Sequence, residues 1–225
     1  MAKGEGAGER GEARFCRLGV LISGSGTNLE NIAEKIEGGY LRARIAVVIS
    51  DREDAYGLVR ARRHGLQAVV LDPGSFPDRV SFDRELVRIL RENGVDLVVL
   101  AGYMRLVSPE FVEAFRNRIM NIHPALLPSF PGTSGVADAL AYGVKVSGVT
   151  VHFIDEGLDT GPIILQEAVP VLPGDDVASL HERIHGVEYR LYPEAIRLFC
   201  EGRLRVEGRQ VRILDAAGEE SMGLA

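Results

Sequence analysis

The chain has 225 residues, 46% of them hydrophobic and 26% charged, which is enough apolar sequence for one sizeable globular domain. Its 32 Asp and Glu residues outnumber 26 Lys and Arg residues, and the formal net charge of −6 argues against a nucleic-acid partner. The two cysteines do not form a CxxC pair, so we expect neither a disulfide framework nor a structural zinc site. No apolar run reaches the roughly 18 residues that cross a membrane, so we expect a cytoplasmic protein with no membrane partner.

The first stretch of the chain, residues 1–15, is rich in glycine and charge. It has too little apolar surface to offset the entropy of ordering it, so we expect a disordered tail. Short apolar runs then alternate with longer polar stretches of helical character, which is typical of a parallel α/β sheet. The predicted strands are residues 18–22, 45–49, 68–71, 97–100 and 119–122. Their continuous apolar character predicts a sheet covered by helices on both faces.

The polar stretches between these strands predict helices, over residues 28–37, 56–64 and 82–93. Gly65 and Gly94 follow the second and third of them, where glycine suits the left-handed residue that ends a helix. Ser108 and Pro109 are typical of a helix start, so a further short helix should run toward Phe115.

The second half of the sequence has a more mixed pattern. Residues 149–153 alternate apolar with polar side chains, which predicts a half-buried strand. A long helix should follow residues 173–175 and kink or break at Pro193. A hairpin is expected about Glu207 and Gly208.

These patterns predict one α/β domain over residues 16–214. Its mainly parallel, Rossmann-like sheet should be flanked by helices, and residues 215–225 should form a loose end.

The first candidate site is the glycine-rich segment at residues 23–28, between a predicted strand and a predicted helix. Backbone N–H groups at a helix start attract an anion such as phosphate. Leu29 occupies the third glycine position of a dinucleotide fingerprint, so that match is imperfect. A phosphate loop and an ordinary strand-to-helix turn both remain open.

The second candidate pairs Asn121 with His123 at the carboxyl end of a predicted strand. Strand alternation points both side chains to the same side, where open α/β sheets bind ligands. An amide beside an imidazole could polarise a carbonyl and move a proton, although a structural histidine is the alternative.

Two further groups are candidates on weaker patterns. The acidic turn at residues 155–162 could bring a carboxylate to His123 or be a solvated loop. His185 and Glu188 share one helix face and could bind a ligand or form a surface pair.

Taken together, the segments LISGSGTNL, DLVVLAGYMRLVSPEF, NIHPALLPSFPG and VTVHFIDEGLDTGPIILQ resemble the phosphoribosylglycinamide formyltransferases, folate-dependent enzymes of purine synthesis. The resemblance extends from Leu18 to about Val206. It implies the formyltransferase fold and transfer of the formyl group of 10-formyltetrahydrofolate to the amine of N1-(5-phospho-D-ribosyl)glycinamide, hereafter glycinamide ribonucleotide. It implies small-molecule substrates and no metal, and it is compatible with a homodimer.

By this resemblance, Asn121, His123 and Asp159 match the family's catalytic residues. The amine would attack the formyl carbon, and Asn121 and protonated His123 would stabilise the resulting oxyanion. Asp159 would hold His123 in its charged form and help position a water that relays the amine proton to the folate nitrogen.

The resemblance also implies substrate contacts. The residues that match contacts to glycinamide ribonucleotide are Gly26, Thr27, Asn28, His185 and Glu188. The residues that match folate contacts are Arg79, Met104, Arg105, Leu106, Val107, Asn121, Asp155, Glu156, Gly157, Leu158 and Asp159. Arg79 is expected near the glutamate tail of the folate.

The sequence departs from the family pattern in the loop that follows Pro131 and Gly132. Ser134 replaces a usual histidine, and Ala137 replaces a frequent basic residue. We expect these two replacements to affect the geometry of the loop or the affinity for the substrate. The three residues that match the family's catalytic residues are retained.

Four other functions share some of these sequence features. A formyltetrahydrofolate hydrolase uses the same three residues but normally carries an N-terminal regulatory domain, and a methionyl-tRNA formyltransferase adds a C-terminal nucleic-acid-binding domain. We expect neither domain in this chain. A dinucleotide oxidoreductase would fit the glycine loop and Asp51 but not Leu29. A nucleotide-binding protein with a decayed active site would fit only the altered loop at Ser134.

Overall fold

The structure is a computed structural model and describes residues 15–215. The predicted tails, apart from Phe15 and Asp215, lie outside the described residues. The strands are β1 (Cys16–Ile22), β2 (Ala43–Ser50), β3 (Ala68–Val70), β4 (Leu97–Leu100), β5 (Ile119–His123), β6 (Val146–Phe153), β7 (Ile163–Pro170), β8 (Leu204–Glu207) and β9 (Gln210–Ile213). The α-helices are α1 (Thr27–Glu37), α2 (Tyr56–Arg63), α3 (Arg79–Glu92), α4 (Pro109–Ala114), α5 (Gly135–Tyr142) and α6 (Val177–Cys200).

All of these strands join one nine-stranded sheet in the order β3-β2-β1-β4-β5-β6-β7-β9-β8. Neighbouring strands from β3 to β5 run parallel, as predicted. β6 runs antiparallel to both β5 and β7. The predicted mainly parallel α/β fold is therefore confirmed, with a reversal of direction at β6.

The sheet separates two hydrophobic cores. On β1, Leu18, Val20 and Ile22 pack with residues of α1, α2 and α6. Leu21 points to the opposite face and packs with residues of α3 and α4. Helices thus cover both faces of the parallel strands, which explains their continuous apolar character.

Local signals set the ends of the predicted helices. The Ser108 side chain accepts a hydrogen bond from the backbone N–H of Phe111 and begins α4, as predicted. α3 begins earlier than predicted because the Asp78 side chain accepts from the N–H of Ser81. Gly65 and Gly94 have φ values of 64° and 58°, which confirms their left-handed conformation.

The prediction of a half-buried β6 is wrong. The strand is buried on both faces from Ser147 to Phe153. The polar face is covered by the chain after β5, since Thr150 Oγ1 donates to the carbonyl of Ala125 and accepts from the N–H of Leu127. Alternation therefore marks a buried polar face here and not a solvated one.

Of the kink or break predicted at Pro193, the break is wrong, because α6 continues through this residue to Cys200. Proline has no N–H to donate to the carbonyl of Tyr189 one turn earlier. The side-chain amide of Asn31, on α1, donates to that carbonyl at 2.9 Å instead. A neighbouring helix thus satisfies the group that the proline leaves free.

The hairpin about Glu207 and Gly208 is confirmed by the antiparallel pairing of β8 with β9. Sequence patterns did not predict α5 or β7. Within residues 15–215, none of the helices combines the length and apolar character needed to cross a bilayer.

Candidate active site

The predicted pair Asn121 and His123 lies on β5, and β6 adds a third polar side chain beside them. Asn121 is the direct cross-strand partner of His152, and its side-chain nitrogen lies 3.3 Å from His152 Nε2. His152 Nδ1 donates to its neighbour's carbonyl at 2.9 Å, so Nε2 is the acceptor in the neutral ring. Burial lowers the pKa of His152, which keeps this ring neutral.

Asp159 completes this group from the acidic turn. One carboxylate oxygen lies 3.6 Å from His123 Nδ1, and the other lies 3.7 Å from His152 Nε2. The backbone of Asp159 is left-handed, with a φ of 52°. The side chains of both His123 and Asp159 are almost fully buried. The turn therefore brings a carboxylate to His123, and the solvated-loop alternative does not describe Asp159.

The loop after β5 holds both His123 and Asp159. His123 Nε2 donates to the carbonyl of Phe130 at 2.8 Å, and the N–H of Gly132 donates to Asp159 Oδ2 at 2.7 Å. Gly135 begins α5 so close to the ring that a Cβ there would lie 3.2 Å from His123 Nε2. The sequence does not predict these roles of Phe130, Gly132 and Gly135, because a contact made by the backbone or by a missing Cβ leaves no side-chain signal.

The two departures from the family pattern lie in this part of the loop. Ser134 precedes α5 and its side chain makes no helix-capping hydrogen bond. Ala137 is exposed on the same helix.

The rest of the acidic turn is organised by Asp155. Its carboxylate accepts from the N–H of Gly157 at 3.0 Å and from the hydroxyl of Thr160 at 2.6 Å. Glu156 lies 3.7 Å from Arg116, and Leu158 is exposed. The turn thus presents one buried carboxylate, from Asp159, and an exposed apolar side chain.

The predicted folate segment at residues 104–107 is tied to the glycine loop. The backbone N–H of Met104 donates to Ser23 Oγ at 2.9 Å. Met104 and Leu106 are 67% and 59% exposed, which is unusual for large apolar side chains. The partly buried Val107 packs against the core below them.

Arg79 and Arg105 share one corner of this region. Arg105 stacks over the Phe82 ring at 5.2 Å, and both arginines act electrostatically on the buried Asp83. Burial raises the pKa of Asp83, although the N–H of Ser108 and the two arginines oppose that rise. The structure brings these two predicted folate contacts together but shows no direct link from them to His123.

The glycine loop ends where α1 begins. Gly26 has a φ of 72°, and Thr27 is the first helical residue. The side chain of Asn28 acts on the carboxyl group of Glu188 of α6, which is only 5% exposed, and opposes the rise in its pKa. Burial raises the pKa of Glu188 to about 7. The contact joins two parts of the predicted nucleotide site that lie far apart in sequence.

His185 lies next to Glu188 on α6. Its Nε2 is 3.7 Å from the Glu188 carboxylate, and its ring stacks edge-on against His181 at 4.1 Å. Burial lowers the pKa of His185, and the neighbouring His181 lowers it further. Because Glu188 is buried, an ordinary surface pair does not describe these residues.

Residues 16–196 match the sequence family of the formyl transferases. The chain belongs to the formyl transferase family. A glycinamide ribonucleotide transformylase from Symbiobacterium toebii has 60% sequence identity and a TM-score of 0.88, with 89% of this chain and 95% of that chain covered.

Curated relatives of this formyl transferase include both short and long proteins. The phosphoribosylglycinamide formyltransferase of Haemophilus influenzae is 41% identical over 191 residues, which cover 85% of this chain and 90% of the relative. A trifunctional purine biosynthetic protein of Drosophila pseudoobscura is 46% identical over 193 residues, 84% of this chain but only 14% of that protein. Among residues 15–215, no group of three or more His, Cys, Asp or Glu side chains could hold a metal ion.

Proposed function

We propose that this formyl transferase moves the formyl group of 10-formyltetrahydrofolate to the amine of glycinamide ribonucleotide. The observation that carries the proposal is the convergence of Asn121, His123 and Asp159 on the face of β5. The identity to phosphoribosylglycinamide formyltransferases supports the same substrates. A homodimer and a cytoplasmic setting remain predictions.

Bond formation needs only the two substrates and these side chains. The amine nitrogen attacks the formyl carbon, and charge develops on the formyl oxygen. The bond from that carbon to the folate nitrogen then breaks, and the proton lost by the amine goes to this nitrogen through a water. The products are the formylated nucleotide and tetrahydrofolate.

His123 would meet the formyl oxygen through Nε2. That N–H is donated to the Phe130 carbonyl at 2.8 Å. The formyl oxygen would replace this carbonyl as the acceptor, and Gly135 leaves room beside the ring because it carries no Cβ. With both nitrogens protonated, the ring would also pair with Asp159 through Nδ1.

Asn121 and Asp159 would act on either side of this imidazole. One N–H of the Asn121 amide is directed to His152, and the amide has a second N–H to offer the oxyanion. Asp159 is held by the N–H of Gly132 at 2.7 Å and could orient the water that carries the proton.

The nucleotide would lie across α1 and α6. Its phosphate would bind the N–H groups at Gly26, Thr27 and Asn28, where the helix start favours an anion. The glycinamide end would reach His185 and Glu188, and the Glu188 carboxylate would accept a hydrogen bond from the amine. The exposed Met104 and Leu106 suit the apolar part of the folate, which the acidic turn would cover from the other side.

The test follows the folate product with and without glycinamide ribonucleotide, while mass spectrometry detects the formylated nucleotide. We expect tetrahydrofolate and formylated nucleotide to appear together and only when the nucleotide is present. Release of formate without the nucleotide would instead identify a hydrolase. No reaction under either condition would contradict the proposal.

A further inference from the structure

Helix α2 holds the glycine loop at residues 23–28 from one side. The N–H of Gly57 donates to the carbonyl of Gly24 at 3.0 Å, and Arg60 Nε donates to the carbonyl of Ser25 at 3.0 Å. The two elements approach so closely that a Cβ on Gly26 would lie 2.5 Å from Gly57 Cα. Both consecutive carbonyls of the loop therefore point toward α2.

The planar peptide group turns these contacts into a direction for the N–H groups. In a trans peptide, the carbonyl of one residue and the N–H of the next point in opposite directions. The N–H groups of Ser25 and Gly26 therefore point away from α2. Consecutive N–H groups that point to one side form a concave site for an anion. Arg60 sets this orientation without occupying that side of the loop.

Arg60 also faces a charge that opposes phosphate binding. Glu30 lies in the first turn of α1, the helix whose start is the predicted phosphate site. Burial acts to raise the pKa of Glu30, but Arg60 and His64 outweigh it and lower the pKa below its usual value. The carboxylate is therefore ionised at the end of α1 that is proposed to bind the phosphate. Arg60 Nη1 lies 3.1 Å from it and His64 lies 3.4 Å from it, so both neighbours offset its charge.

We propose that Arg60 is a positioning residue for the phosphate of the nucleotide substrate. It fixes the carbonyl of Ser25, so that the N–H of Gly26 is available to the phosphate, and it cancels the charge of Glu30. This inference rests on the proposed function, which assigns the phosphate to this loop. Arg60 contacts the protein and not the reacting atoms, so its effect belongs to nucleotide affinity.

The experiment compares two substrates. One is glycinamide ribonucleotide, and the other is glycinamide riboside, the same molecule without its phosphate group. For Arg60→Gln we expect the KM for the ribonucleotide to rise about tenfold, with kcat and the KM for the folate unchanged. The KM for the riboside should stay at the wild-type value. Arg63→Gln is the matched control, because both arginines stack on the Tyr56 ring. The guanidinium of Arg63 lies 5.7 Å from the ring centre and that of Arg60 lies 5.1 Å from it.

Two more variants separate the two effects of Arg60. Arg60→Lys keeps the charge and loses the guanidinium contact to the carbonyl of Ser25, so we expect a smaller rise in KM. In Arg60→Gln combined with Glu30→Gln, the repulsive charge is also absent, and part of the affinity should return.

Different results would overturn different claims. An equal rise in KM for both substrates would mean that Arg60 only supports the fold, and an unchanged KM would mean that it has no role. If the wild-type protein used both substrates equally well, the phosphate assignment of the loop would be wrong, and the role of Arg60 with it. No turnover of the ribonucleotide by the wild-type protein would contradict the proposed function itself.

Discussion

His123 uses both of its ring nitrogens inside the protein. Nε2 bonds to the carbonyl of Phe130, and Nδ1 faces the Asp159 carboxylate at 3.6 Å. The backbone of residues 130–132 therefore sets the orientation of the imidazole and of its carboxylate partner. A substrate oxygen needs to displace only one carbonyl to reach an N–H that already has the correct direction.

Replacing His123 should separate chemistry from nucleotide binding. We expect His123→Ala to lower kcat by roughly 100-fold or more, because the proposed hydrogen-bond donor to the oxyanion is lost. The dissociation constant for glycinamide ribonucleotide, measured by calorimetry, should change little, since the phosphate is assigned to α1. Preserved turnover with lost nucleotide binding would reverse these two assignments.

Glu188 should give nucleotide affinity a pH dependence near neutrality. Burial raises its pKa to about 7, so it is protonated in more acidic solution and cannot accept from the substrate amine with full charge. We expect the KM for glycinamide ribonucleotide to rise as the pH falls through about 7.

The pH dependence of the same KM is also measured for Glu188→Gln. Titration of the substrate amine affects the variant and the wild-type protein alike, so any difference between them comes from Glu188. In the variant, the KM for glycinamide ribonucleotide should no longer rise as the pH falls through about 7. Identical profiles for the two proteins would assign this titration to another group.

Sequence reasoning reached part of this site. Strand alternation correctly placed Asn121 and His123 on one side of β5. The approach of Asp159 could not be derived from the pattern, because β6 is antiparallel and its chain leaves the sheet beside Met120, away from His123. The family resemblance implied Asp159, while the contact of His152 with Asn121 required the strand register.

At the scale of helices and loops, α1 and α6 depend on each other through Asn31 and Pro193. The amide of Asn31 takes the place of the missing helical hydrogen bond to the carbonyl of Tyr189. Sequence rules predict a kink or a break at Pro193 because they consider only the hydrogen bonds within one helix. A contact from another helix is invisible to such local rules.

This compensation predicts a coupling between the two residues. Asn31→Ala should lower the free energy of unfolding by about 1–3 kcal/mol, because a helical carbonyl loses its partner. In a Pro193→Ala background the new N–H can bond to that carbonyl, so the same change should cost less. Urea unfolding of the four proteins in this cycle measures the coupling. Additive effects would show that the Asn31 amide does not replace the helical hydrogen bond.

Strands and helices of the first half were predicted closely because each carries its own signals. Ser108 caps α4, and Gly65 and Gly94 adopt the left-handed conformations expected at helix ends. β6 was misjudged because its polar residues, among them Thr150, find partners inside the protein. A strand with a buried polar face and a strand with a solvent-exposed polar face show the same alternation of apolar and polar residues.

For the molecule as a whole, the buried Glu188 lowers stability at neutral and basic pH. Its pKa is raised from 4.5 to about 7 by burial, so the folded state binds the proton more tightly than the unfolded state does. The free energy of unfolding should therefore fall as the pH rises from about 4.5 to about 7. The proposed contact of this carboxylate with the nucleotide would account for its burial despite that cost.

Removing the charge should reverse this effect. We expect Glu188→Gln to raise the free energy of unfolding at pH 8 by up to about 3 kcal/mol and to change it little near pH 4.5. Urea unfolding at both pH values measures the difference. A variant that is less stable at pH 8 would show that contacts of the ionised carboxylate outweigh its burial.

The bond between Asn31 and the carbonyl of Tyr189 joins positions 158 residues apart in the chain. A growing polypeptide thus completes α1 well before Tyr189, which follows Asn31 by 158 residues, has been made. Contacts of such long sequence separation form late, because a large loop must close first. The contact between α1 and α6 therefore forms only after Tyr189 has been made, although the glycine loop that precedes α1 is translated long before.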